Sequence, residues 1–407
     1  VKSWSEPEVS RLPGTGRDLR LFDTATQQIR PTSPGKRATI YVCGITPYDA
    51  THMGHANTYV AFDMVIRQWL DSGHQVDFVE NVTDIDDPLL ERAVATGQDW
   101  REIADRETAL FREDMQALRV IPPKDYIGAV ESIPQTVDAI ERLQTQNDVY
   151  AVDGDLYFRV ANSPLFGSVS HLNHSNMLKV FAERGGDPER AGKENPLDAL
   201  LWQSARPDEP AWDTRLGHGR PGWHIECSTI AREYLGDSID VQGGGSDLVF
   251  PHHEMSAAQS ERITGKAPFA RFYVHSGMVS WQGHKMSKSR GNLVFVSTLR
   301  TEGVDPMAIR LALLAHHYRS DWAWTPHGLE GAVTRLDMWR SAVRLKQTLP
   351  AEPVLERVRE VLSDDLKTPS ALDAVDDWAR QSLTAGGNSD GGPLVAELSD
   401  SLLGVEL

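Results

Sequence analysis

Cysteine is scarce: Cys43 and Cys227 are the only two in 407 residues, too few for a scaffold stapled by disulfides. They read as metal ligands or buried thiols, because a lone bridge is unusual in a reducing compartment. No apolar run approaches the roughly 20 residues that span a bilayer, and no signal-peptide pattern opens the sequence, so a cytoplasmic globular protein is expected. Basic residues are also few, 41 Lys and Arg against 58 Asp and Glu, leaving a formal charge of −17. A broad nucleic-acid face draws its affinity from Lys and Arg that neutralise phosphates, so this balance disfavours one while leaving room for a local basic groove. Neither Gly-x-x-x-x-Gly-Lys-Ser/Thr nor a convincing Gly-x-Gly-x-x-Gly is present. Any nucleotide must be held another way.

What is there suits a globular chain of two or three domains, with 40% hydrophobic and 24% charged residues. Residues 39–43 read as a β-branched and aromatic strand. Phe62, Val65, Ile66, Trp69 and Leu70 then fall at helical spacing before Gly73 stops the run. A second strand follows at 76–80, completing a parallel βαβ unit. Ligands gather at the carboxyl ends of such strands, which puts the loop 44–55 where a nucleotide would sit. Residues 119–212 are mixed and loop-rich, with Asp153-Gly154-Asp155 ahead of an aromatic strand, and read as an insertion. Strands return at 239–242 and 272–275. Beyond residue 290, Leu329, Val333, Leu336 and Val343 fall on one helical face, predicting a C-terminal bundle, and 386–392 reads as a flexible connection.

His52-Met53-Gly54-His55 lies at the entrance to the first helix, where free backbone N–H groups and the positive end of the dipole favour phosphate. Lys285-Met286-Ser287-Lys288-Ser289, between Gly283 and Gly291, sets two lysines on a loop that can swing. Each alone has an ordinary reading, surface histidines in one case and a solvated charged loop in the other. Together they resemble the signature pair of class I aminoacyl-tRNA synthetases, which clamps ATP while an amino acid attacks the α-phosphorus. Positive groups aimed at charge building on a phosphoryl centre are the main catalytic device of such transfers. The expected catalytic residues are therefore His52, His55, Lys285 and Lys288.

The cysteines leave two readings open. Cys227 lies in Pro221-Gly222-Trp223-His224-Ile225-Glu226-Cys227-Ser228, and Pro251-His252-His253-Glu254 follows Gly243-Gly244-Gly245. No contiguous zinc-finger spacing results, so the residues alone admit a shared metal or two unrelated buried cysteines. A resemblance adds to this. Tyr41-Val42-Cys43-Gly44, Asn81-Val82-Thr83-Asp84-Ile85-Asp86-Asp87, Asn195-Pro196-Leu197-Asp198 with Leu201-Trp202, the Cys227 segment, residues 243–254 and the lysine loop are similar to cysteinyl-tRNA synthetase in the same order. The likeness covers roughly the first three-quarters of the chain. It implies an α/β fold of the class I synthetase type: a Rossmann-like parallel sheet in two halves (1–118 and 213–290), an inserted domain (119–212) and a helical bundle (291–407). It also implies one Zn²⁺ per chain that binds the substrate thiolate, held by Cys43, Cys227 and His252, with His253 as the alternative. A soft thiolate suits zinc where a serine hydroxyl does not.

The sequence departs from that family in three places. Its second acidic residue, four positions past the first histidine, is Ser256 here, which leaves three protein ligands and an open position. Pro88 replaces the family's lysine after the double aspartate. Only residues 291–407 follow the lysine loop, room for a bundle but short for a bundle plus an anticodon-binding domain. With the negative charge, this shifts the expected acceptor from tRNA, which stays as the alternative, to a small amine. Gly44-Ile45-Thr46-Pro47-Tyr48-Asp49-Ala50-Thr51 and Glu183-Arg184-Gly185-Gly186-Asp187-Pro188 extend the likeness to a short cysteine-ligating branch of the family. Its reaction joins activated cysteine to the amine of a glucosaminyl-inositol as an amide and releases AMP.

That branch implies an adenylate lined by Gly44, Ile45, Thr46, Thr58, Asn81, Val82, Thr83, Trp223, Gly245, Ser246, Asp247 and Val279. Asp247 suits a ribose hydroxyl, Thr83 a polar end of the amino acid and Trp223 an apolar wall. Their ordinary readings are a turn residue for Asp247 and a core aromatic for Trp223. The expected substrates are L-cysteine, ATP with Mg²⁺ and glucosaminyl-inositol, handled by a monomer with no membrane partner. The group that takes the amine proton stays open between His55 and a water.

Overall fold

The computed structural model describes residues 1–281 and 293–407, with only the backbone of His284 and Lys285 between them. A short antiparallel ribbon, β1 (Arg20–Asp23) and β2 (Gln28–Pro31), precedes the main sheet. β3 (Arg37–Val42), α1 (Met53–Asp71) and β4 (Gln75–Val82) form the first parallel unit. In β3, Ala38, Ile40 and Val42 enter one core while Tyr41 enters another across the sheet. A strand covered on both faces is apolar where it is covered, as this one is from Ile40 to Val42.

Next come α2 (Asp87–Thr96), α3 (Trp100–Ala117) and β5 (Asp125–Gly128). β5 lies inside the segment read as an insertion, yet it pairs in parallel with β4. After α4 (Ile133–Thr145), an antiparallel sheet is built from β6 (Val149–Val152), β7 (Asp155–Phe158), β8 (Ala199–Ser204), β9 (Trp212–Thr214) and β10 (Gly217–Pro221). α5 (His174–Glu183) sits between β7 and β8 in sequence. The parallel sheet resumes through α6 (Trp223–Leu235), β11 (Ile239–Gly245), α7 (Glu254–Thr264) and β12 (Ala270–Ser276). Its order is β12-β11-β3-β4-β5, parallel throughout. The chain crosses from one half to the other between β3 and β11, the kind of switch point at which α/β sheets open a ligand crevice.

The last segment is mostly helical: α8 (Val296–Thr301), α9 (Pro306–Leu314), α10 (Pro326–Val343), α11 (Glu352–Ser363), α12 (Thr368–Ala385) and α13 (Gly392–Leu403). Three of its features differ from the sequence reading. β13 (Val279–Trp281) and the strand β14 (His284–Lys285) are joined by β15 (Trp322–Trp324), parallel to β13, where only helix was expected. On α10 the buried face is Ala332, Leu336, Trp339 and Ala342, and Val333 is 39% exposed. Residues 386–392 are fastened: Thr348 and Ser389 exchange backbone hydrogen bonds of 2.8 and 3.1 Å, and Gly391 N–H donates to Thr348 Oγ1 at 2.8 Å.

A buried charge cluster ties this bundle to α1. Asp63 accepts from Arg67 Nε at 2.7 Å, from Ile121 N–H at 2.8 Å and from Arg310. The two guanidiniums, both fully buried, also donate to the carbonyls of Asp400, Ser401 and Leu403 at the end of α13. Burial works against ionising Asp63, but the two arginines outweigh it and hold its carboxyl below the usual range. Among the described residues, no helix is long and apolar enough to cross a membrane.

Candidate active site

Cys43 follows the last residue of β3, and its N–H pairs with Gly243 O at 3.0 Å across the switch point. The turn that carries it is pressed against the end of β4. A Cβ on Gly44 would lie 1.6 Å from Asn81 O, so only glycine fits that approach. Buried Asn81 fixes the turn, accepting from Gly44 N–H at 2.8 Å and from Tyr41 O–H at 2.9 Å while donating to Thr83 Oγ1 at 3.0 Å. Cys227 comes from the first half of α6 and His252 from the turn before α7. One ligand atom from each of Cys43, Cys227 and His252 lies within 4.8 Å of the others, and all three residues are buried.

The hydrogen bonds separate His252 from His253. His252 holds its Nδ1 against His224 Nδ1 at 2.9 Å, while its Nε2 is buried without a hydrogen-bond partner. His253 is engaged at both ends, by Cys43 Sγ at 3.2 Å and by His275 Nε2 at 2.8 Å. His275 in turn meets Thr24 Oγ1 at 2.7 Å. An orphaned imidazole nitrogen beside two sulfurs is the donor set that a thiophilic metal takes, and His253 has the position of a supporting residue behind it. Burial keeps His224 and His253 well below the ordinary histidine range and pushes His275 down to about 3, so all three are neutral. Burial raises the Cys43 thiol, and the hydrogen bond between the two sulfurs lowers Cys227.

These residues adjoin a cavity of about 860 Å³ whose lining includes Cys43, Gly44, Ile45, Thr46, His52, His55, Thr58, Trp223, Gly245, Asp247 and Val279. The rings of His52 and His55 stack with centroids 3.8 Å apart. One expectation is corrected here: the first N–H groups of α1 are not free. Met53 N–H donates to Val294 O at 2.9 Å, and His52 Nδ1 caps Gly54 and His55 N–H at 3.1 and 3.4 Å. The helix end therefore offers imidazoles and a dipole rather than open donors. Thr58 Oγ1 pairs with Ser276 Oγ at 2.8 Å, and Trp223 stacks on His252 with centroids 4.3 Å apart.

Four of the expected adenylate residues do not line the cavity. Asn81 and Thr83 stand behind it as the brace just described, Val82 has its side chain in the hydrophobic core, and Ser246 begins the short turn after β11. The side chain of Lys285 and all of Lys288 lie outside the described residues. Ser256 is fully buried in α7, its Oγ without a hydrogen-bond partner. Sequence reasoning missed His224, His275 and Thr24. His224 carried a signal, three residues before Cys227 in a quoted motif, whereas the His275 and Thr24 contacts arise only when β12 and the N-terminal ribbon are brought together.

A parallel switch-point sheet, a His-x-Gly-His helix entrance and a buried Cys-Cys-His group define a class I synthetase-type catalytic domain, and the chain belongs to that family. Residues 29–334 match tRNA synthetases class I (C) catalytic domain. Within it the chain belongs to the L-cysteine:1D-myo-inositol 2-amino-2-deoxy-alpha-D-glucopyranoside ligases. It is 61% identical to the ligase of that name from Streptomyces griseus and 59% identical to that from Streptosporangium roseum, with all of both chains covered in each case. The Mycolicibacterium gilvum ligase is 56% identical over all of this chain and 93% of its own length. Among solved structures, Mycobacterium tuberculosis methionyl-tRNA synthetase in complex with methionyl-adenylate superposes with a TM-score of 0.64 at 18% identity, covering 91% of this chain and 89% of that one. An Agrobacterium radiobacter leucyl-tRNA synthetase complex gives a TM-score of 0.59 at 12% identity, covering 92% and 83%. At these identities the likeness speaks for the fold alone.

Proposed function

We propose that this chain activates L-cysteine with MgATP to cysteinyl-adenylate and then transfers the cysteinyl group to the amine of 1D-myo-inositol 2-amino-2-deoxy-alpha-D-glucopyranoside, a step of mycothiol biosynthesis. The cysteine carboxylate attacks the α-phosphorus and diphosphate leaves. The amine then attacks the adenylate carbonyl, an amide forms and AMP leaves. The observation that carries this reading is the buried Cys43, Cys227 and His252 group beside the cavity, in a chain that matches ligases of that name from end to end.

His52 and His55 border the cavity, where they hydrogen-bond phosphoryl oxygens as charge builds, joined by Lys285 and Lys288. Asp247 and Thr58 hold the ribose side, and Trp223 walls the small side chain. Asn81, through Gly44 and Thr83, keeps the β3 turn in place while the adenylate forms. A zinc ion held by Cys43, Cys227 and the free Nε2 of His252 would supply a soft Lewis acid that prefers a thiolate to a hydroxyl. Selection of cysteine over serine follows without an editing step.

The test is product formation from ATP and labelled cysteine, with glucosaminyl-inositol in one reaction and total tRNA in another. An amide in the first alone supports the reading. Charged tRNA in the second alone overturns it.

A further inference from the structure

The cysteine and ATP assignments leave part of the cavity lining unused. Asp86, Asp87 and Glu91 contribute from the start of α2, and Asp187, Gln203 and Arg220 from the inserted sheet and its α5 turn. These walls are joined, since Arg220 on β10 forms an ion pair with Asp87. Arg184 beside the turn donates to the carbonyls of Asp247 and Phe250, which couples the insert to the catalytic half.

The lining is built rather than incidental. Asp187 Oδ2 accepts from Tyr157 O–H at 2.5 Å, and Asp187 Oδ1 accepts from Lys193 Nζ at 2.8 Å. Tyr157 O–H accepts in turn from Arg190 at 2.8 Å, and Asp155 anchors both Arg190 and Arg206 at 2.6 Å. A Cβ on Gly186 would fall 2.5 Å from the Phe181 ring, which keeps the backbone of this turn bare. Arg220 is only 6% exposed, and its Nε is buried without a hydrogen-bond partner.

The charges point to one kind of guest. Arg190, Arg206 and Arg220 are each paired with a carboxylate, so no excess of cation awaits a phosphate chain. Carboxylates that accept, guanidiniums and an amide that donate, and a bare glycine turn together match a ring of vicinal hydroxyls, each of which does both. The acidic edge also favours an ammonium group until it loses its proton.

We propose that this lining is the acceptor subsite, and that Asp187, Gln203 and Arg220 read the hydroxyls of the polyol ring that does not react. This rests on the function proposed above.

The test compares glucosaminyl-inositol with glucosamine, which carries the amine but lacks the second ring, in the wild type, Asp187→Asn and Gln203→Ala. Loss of a hydrogen bond to a charged or buried partner lowers recognition by roughly tenfold to a hundredfold. Each variant is therefore expected to raise KM for glucosaminyl-inositol by about that factor, with KM for glucosamine nearly unmoved and cysteine-dependent ATP–diphosphate exchange retained. Unchanged KM for glucosaminyl-inositol in both variants overturns the subsite, as does an equal rise for the two acceptors. If Asp187→Asn loses exchange through misfolding, Gln203→Ala decides, because its side chain makes one hydrogen bond, to Glu209 at 3.1 Å. A wild type that supports exchange but joins cysteine to neither amine overturns the proposed function and the subsite with it.

Discussion

Replacing His252 and His253 by alanine one at a time tests which of the two belongs to the candidate metal group. His252 brings a buried, partnerless Nε2 to the two sulfurs. If zinc bound by a full protein donor set is worth about 10–16 kcal/mol, one ligand accounts for roughly 3–4 kcal/mol, or several hundredfold in affinity. His253→Ala instead removes two hydrogen bonds, to Cys43 Sγ at 3.2 Å and to His275 Nε2 at 2.8 Å. At about 1 kcal/mol each they sum to about 2 kcal/mol, near thirtyfold, in line with what supporting residues contribute at other metal sites. No charge is lost, because burial keeps His253 neutral. The assay is zinc content after dialysis against graded chelator. His252→Ala should be stripped at concentrations that leave His253→Ala largely loaded. The reverse order would refute the ligand assignment, and full retention by His252→Ala would refute the site.

Three further outcomes are expected. Gly44→Ala, whose Cβ would fall 1.6 Å from Asn81 O, forces the β3 turn off β4 at a cost of roughly 1–3 kcal/mol, read as a lower melting temperature and a raised KM for cysteine. Lys285→Ala combined with Lys288→Ala should slow cysteine-dependent ATP–diphosphate exchange by about a hundredfold or more; an unchanged rate sinks the phosphoryl role. Burial raises the Asp114 carboxyl to about 6, so its folded form prefers the proton. That preference stabilises the fold below about pH 4 and is lost as pH rises through 6, a swing of about 2–3 kcal/mol. Asp114→Asn should therefore gain on the wild type in denaturation midpoint between pH 4 and pH 7.5, and a constant difference would contradict this.

The parallel strands were legible because β3 carries a β-branched and aromatic run and β11 runs out into three glycines. The αβ order was also enough to put residues 44–55 at the crevice. The Cys-Cys-His group was not legible from spacing, since β3, α6 and the turn before α7 meet only in three dimensions. Family likeness supplied it, and the hydrogen bonds of the two histidines then distinguished them. β15 was hidden because Trp-Ala-Trp is too short to show a period of two. Val333 was placed on the buried face of α10 because large apolar residues were counted, whereas Ala332 and Ala342 let the helix pack closely. The capping by His52 and the fastening of 386–392 depend on side-chain and backbone hydrogen bonds that composition does not reveal.

The cluster of Asp63, Arg67 and Arg310 gives the C-terminal helices a mechanical meaning. α1 presents His52 and His55 at one end and, about 18 Å beyond His55 by helix rise, Arg67, which with Arg310 grips the last turn of α13 while Asp63 holds both guanidiniums. The bundle is the abutment against which α1 is braced. Cutting it away would take Arg310 from Asp63 and the α13 carbonyls from Arg67, and breaking such a buried pair costs about 3–5 kcal/mol. These helices thus fix the position of the helix whose first turn carries His52 and His55.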